Sequence, residues 1–79
     1  MNDDMDHKLG GLSRRLYNRI EVFRKKHKYT CWHFDFSEPE LTFYKGQESF
    51  CHYEYKQGSP IKIAWEKLES ECVREMRRF

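Results

Sequence analysis

Apolar positions recur along this chain in two rhythms. Leu12, Leu16, Ile20 and Phe23 are spaced by four, four and three residues, the spacing of one helix face, and Leu9 extends the stripe backward. The helical rhythm returns at Ile61, Trp65, Leu68, Cys72, Met76 and Phe79, with Ala64 beside it. Between the two stripes the period drops to two. Trp32, Phe34 and Phe36 alternate with Cys31, His33 and Asp35, which predicts a strand over 29–36. Leu41 and Phe43 alternate with Thr42 and Tyr44, a second strand over 41–45. Cys51, Tyr53 and Tyr55 alternate with Phe50, His52 and Glu54, a third strand over 49–56. In the third strand the more apolar set, Cys51, Tyr53 and Tyr55, is assigned inward.

The punctuation agrees with these elements. Ser37-Glu38-Pro39-Glu40 and Lys45-Gly46-Gln47-Glu48 are turns, the second with a glycine available for a positive φ. Ser59 suits a helix N-cap and Pro60 the first helical position, where a missing N–H leaves nothing unpaired. The order is helix, three-stranded antiparallel meander, helix (αβββα). The predicted fold is α+β, a two-layer sandwich with both helices on one face of the sheet. Residues 1–8, acidic and without apolar period, are expected to be a flexible N-terminus, and residues 9–79 a single domain. The sheet face away from the helices would carry Cys31, His33, Asp35, Thr42, Tyr44, His52 and Glu54.

Composition explains how so short a chain can hold together. Of its 79 residues 38% are hydrophobic and 35% charged, and a domain this small buries a modest share of its surface. Nine of the thirteen aromatic residues lie between Tyr29 and Tyr55, and each buried ring removes a large apolar area from water. The net charge of +2 conceals an asymmetry: residues 12–28 sum to +6 and residues 29–56 to −3. The cations therefore concentrate on the first predicted helix, thickening through Arg24-Lys25-Lys26-His27-Lys28, where the helix dipole favours them. Three widely spaced cysteines do not suggest a disulfide framework. With no secretory leader pattern and no apolar run of membrane-spanning length, the expectation is a cytoplasmic protein with reduced thiols.

The candidate chemistry is sparse. Cys31 with His33, and Cys51 with His52, do not have the spacing of a structural zinc site, and no metal is expected. Cys31, His33 and Asp35 on one strand lie about 6–7 Å apart at successive Cα atoms and have no pocket to work in. The adjacent glycines Gly10-Gly11 follow no strand, so no phosphate loop is present. The chain is therefore expected to be neither an enzyme nor a binder of cofactors or small-molecule substrates. The sharper signal is the basic helix. Arg14, Arg15, Arg19, Lys25 and Lys26 could follow a phosphate backbone or an acidic protein surface, and Tyr44 on the free sheet face could stack on a base or fill an interface.

The order helix-strand-strand-strand-helix is also that of double-stranded RNA-binding domains. That family places lysines at the start of its second helix, where this chain has Pro60-Ile61-Lys62-Ile63 with one lysine. Its loop between the first two strands meets the minor groove, and here that loop is the acidic Ser37-Glu38-Pro39-Glu40. The likeness is confined to topology, and no binding residue is carried over from it. The expected role is a protein-interaction module, an adaptor or inhibitor of a larger assembly, nucleic-acid-handling ones included. The alternative is nucleic-acid binding through the basic helix. A homo-oligomer fits the first role, a membrane partner neither. Val22 and Ile63, apolar among charged neighbours on outward positions, fit an interface as well as an ordinary surface.

Overall fold

The computed structural model describes residues 12–77. Leu9, Phe79 and the expected flexible segment 1–8 lie outside the described residues. The elements follow the predicted order: helix α1 (Arg14–Lys26), strands β1 (Cys31–Asp35), β2 (Glu40–Lys45) and β3 (Glu48–Phe50), a 3₁₀ turn (His52–Glu54), and helix α2 (Pro60–Met76). The three strands form one antiparallel sheet in the order β1-β2-β3. The fold is α+β.

Each helix begins as its local sequence dictates. Ser13 caps α1, its hydroxyl accepting the Leu16 N–H at 3.2 Å, and Ser59 caps α2 with Pro60 in the first turn. Helix α1 ends in a Schellman motif: the Tyr29 N–H donates to the Arg24 carbonyl at 3.0 Å and the Lys28 N–H to the Lys25 carbonyl at 3.2 Å. The motif needs a left-handed residue, and Lys28 supplies it with φ 61°. Gly46 takes φ 64° in the turn between β2 and β3.

The core lies between the helices and one face of the sheet. Leu12, Leu16, Ile20 and Phe23 from α1 and Trp65, Leu68 and Cys72 from α2 are buried with Phe34, Leu41 and Phe43. Phe43 is central: its ring centroid lies 5.0 Å from that of Phe23 and 4.9 Å from that of Trp65, so one side chain of the middle strand meets both helices. The helices run antiparallel. Ser13, at the start of α1, donates its N–H and hydroxyl to Glu75 near the end of α2 at 2.8 and 2.9 Å, and Arg19 pairs with Glu71 one turn earlier.

The third strand departs from expectation. It is three residues long rather than reaching 56. Register places Phe50 opposite Phe43, on the helix-facing side, where it packs against the core. Cys51 therefore falls on the other face, next to Thr42, with Sγ 3.8 Å from the Thr42 hydroxyl. The predicted faces of this strand are reversed at both residues. Beyond them the chain turns. Glu54 accepts the Cys51 N–H at 3.1 Å and its own N–H returns to the Cys51 carbonyl. The cause lies in α2: the Leu41 N–H, which a longer β3 would approach, donates to Glu69 at 2.9 Å, and the Leu41 carbonyl accepts from the Trp65 indole at 3.0 Å. With both groups satisfied by the helix, β2 has nothing to offer a continuing strand. Tyr53 consequently stands 61% exposed, while Tyr55 turns back to pack on the core and its hydroxyl bonds that of Tyr29.

Two smaller corrections concern β1. It starts at Cys31, since Tyr29 belongs to the helix cap, although its ring is buried as expected. Phe36 lies in the turn after the strand, 38% exposed and edge-on to Phe34. Trp32 is half-buried because its indole N–H reaches up to Glu21 of α1 at 2.7 Å.

Candidate binding surface

The six residues singled out in the sequence do not form one patch. Arg15, Arg19 and Lys26 lie along the side of α1 that borders α2. Arg14 and Lys25 are exposed on the side of α1 opposite its buried stripe. Tyr44 is half-buried on the far face of the sheet, opposite Cys31 and Ser49 in the register. The sheet thus separates Tyr44 from the cations.

The antiparallel packing of the helices creates what the sequence did not display. Between them runs a groove of about 330 Å³ lined by Arg19, Val22, Phe23, Lys26, Ala64, Lys67 and Leu68. Ala64 gives it depth, because a methyl group stands where longer side chains stand elsewhere on the helix. Val22 forms the lip and is 66% exposed. Toward the start of α1 the groove continues into a polar depression bordered by Arg15, Arg74 and Glu75. Lys67 and Arg74 are the residues missed in the sequence. Only the pairing of Arg19 with Glu71 brings them beside the cations of α1.

The charges of the two helices are used unequally. Four of the five helix glutamates accept an internal hydrogen bond. Glu21 holds Arg24 at 2.9 Å and the Trp32 indole, and the Arg24 guanidinium with that indole keeps its carboxyl below the usual range. Glu71 holds Arg19, whose guanidinium likewise depresses the Glu71 pKa. Glu75 holds Ser13. Glu66 and Glu69 flank His52, with Nδ1 and Nε2 each 3.3 Å from a carboxylate oxygen. Arg15, Lys25, Lys26, Lys67 and Arg74 are exposed, and none takes part in an ion pair among the described residues. The helical layer therefore presents cations outward while its acids are spent on the fold.

A second cleft, about 470 Å³ between α1 and β1, is lined by Tyr17, Glu21, Arg24, Trp32, Phe34 and Phe36 among others. Its Glu21, Arg24 and Trp32 polar groups are committed to the fold. Besides the Glu21 contacts, Arg24 donates to the carbonyls of Tyr29 and Thr30 at 2.9 and 3.3 Å. This cleft is a brace that ties the first strand to the first helix. Cys31 is exposed, whereas Cys51 and Cys72 are buried, and burial beside Glu75, Glu69 and Glu71 pushes the Cys72 thiol up to about 12. Among the described residues no group of three or more His, Cys, Asp or Glu side chains is placed to hold a metal ion, and no helix is long and apolar enough to cross a membrane. No protein-family model, curated protein or solved structure matches the chain.

Proposed function

We propose that this chain is a small non-enzymatic protein-interaction module, an adaptor or inhibitor, and that it engages its partner through the face shared by α1 and α2. The observation that carries the reading is the apolar groove with the exposed Val22 lip, set beside Lys26 and Lys67, which are exposed and form no ion pair among the described residues. Interfaces of this kind combine an apolar centre with a charged rim that steers the encounter. A surface built only to follow phosphates would need neither the apolar floor nor the exposed valine. An isologous dimer through the same groove would set one basic groove, with Lys26 and Lys67, against another, so a different protein is the better occupant.

Nucleic acid is the competing partner, since Arg14, Arg15, Lys25 and Lys26 are all exposed. Affinity capture from the source cells with nuclease treatment, run beside titration of mixed-sequence RNA and DNA at low salt, separates the two. The proposal expects a nuclease-resistant protein partner that is lost with Val22→Asp and kept with Tyr44→Ala. Salt-dependent nucleic-acid binding with no protein partner would contradict it.

A further inference from the structure

We infer that the occupant of the inter-helix groove is an amphipathic α-helix of the partner, apolar along one ridge and acidic along its flanks. The inference rests on the reading above that this face binds protein, and specifies what it binds. Two features of the groove select the ligand. The first is charge. Lys26 stands on the α1 wall and Lys67 on the α2 wall, with Arg15 and Arg74 at the α1 start, and none of the four has an ion-pair partner among the described residues. A ligand lying along the floor passes between cations on both sides, which matches carboxylates on both flanks of an apolar ridge.

The second feature is the absence of free backbone. Both walls are helices, Arg14–Lys26 and Pro60–Met76, whose interior N–H and C=O groups are bonded within the helix. The floor is made of the side chains of Phe23, Ala64 and Leu68. An extended peptide laid on it would bring its own backbone donors and acceptors over apolar atoms with nothing to bond. A helical ligand arrives with its backbone already satisfied and buries only side chains, spaced three and four residues apart.

The test uses labelled peptides of about 18 residues, ~27 Å long as helices. One carries a leucine ridge with glutamate flanks, one is a scramble of the same composition, and one has lysine flanks. Binding is followed by fluorescence anisotropy and helicity by circular dichroism. The acidic ridge peptide is expected to bind and gain helicity, to weaken as salt rises, and to lose about tenfold in affinity against Lys26→Glu/Lys67→Glu, where two exposed attractions become repulsions. The lysine-flanked peptide should not bind. Equal binding of the scramble, or no effect of the double variant, would overturn the inference. If none of the peptides binds while Val22→Asp still abolishes capture of the partner, the helical ligand is wrong and the interaction module stands. If Val22→Asp leaves capture intact, both fall.

Discussion

At the scale of single residues, Lys28 and Cys31 stand apart among the described residues, one by its backbone and one by its accessible thiol. Lys28 sits at φ 61° to close the helix α1 cap, a conformation glycine adopts freely and a side chain resists by roughly 1–2 kcal/mol. Lys28→Gly should therefore raise stability in urea unfolding by about 0.5–1 kcal/mol, the relief of strain less the few tenths lost with a cation at the helix end; Lys28→Asn should gain less. The three cysteines differ in access. Alkylation of the native protein at neutral pH should give one adduct, at the exposed Cys31, and three after denaturation, read by mass spectrometry. Early modification of Cys72 would contradict the burial that holds its thiol near 12. His27 packs on Phe23, and burial first, then Lys26 and Lys45, lowers its pKa.

The scale of elements shows which features the chain announced and which it did not. Both helices follow from stripes with a 3.6-residue period and from Ser13, Ser59 and Pro60 as starts, because the signal is local. β1 and β2 follow from alternation. β3 fails because alternation alone does not say where a neighbour stops pairing. Glu69 and Trp65, lying 28 and 24 residues from Leu41, take the bonds that would have extended the ladder. The reversal at Phe50 and Cys51 has a different root: the turn at Gly46-Gln47 sets Lys45 opposite Glu48, and so Phe50 opposite Phe43 on the helix-facing side. The proposed binding surface was half legible. The α1 cations stood out, but the groove needs α2 docked antiparallel, and that geometry is written in Ser13–Glu75 and Arg19–Glu71, contacts between opposite ends of the chain. Glu21 and Glu71 have folded pKa values below the ordinary 4.5, and His27 one below 6.5. A depressed pKa adds stability that is complete above the unfolded value and lost as pH falls through the folded one. Melting temperature should therefore begin to fall below about pH 6.5 through His27 and drop further below about 4.5 through the glutamates. His27→Gln should remove the first step and leave the second. A melting temperature that rises on acidification would contradict the sign.

For the molecule as a whole, stability depends on a few large aromatic contacts, because the chain is short and polar. Phe43 and Trp65 are fully buried and touch one another, and both meet Phe23. Replacing such a ring with alanine costs ~3–5 kcal/mol, against a total of only about 0.05–0.15 kcal/mol per residue for ordinary domains. Phe43→Ala should thus abolish cooperative thermal unfolding, whereas Val22→Asp and Ile63→Ser, at positions 66% and 57% exposed, should leave it within ~0.5 kcal/mol. On the proposed reading, helices that bind most of their own glutamates and leave cations around an exposed apolar lip meet an acidic, partly apolar surface. The most direct test of that account measures the affinity of the captured partner, by calorimetry, for two double variants of equal charge change. Lys26→Glu/Lys67→Glu alters the groove and Lys25→Glu/Lys56→Glu alters exposed positions away from it. The prediction is a loss of at least about tenfold for the groove pair and a change below about threefold for the other. Equal losses for the two pairs, or a larger loss for the second, would contradict it.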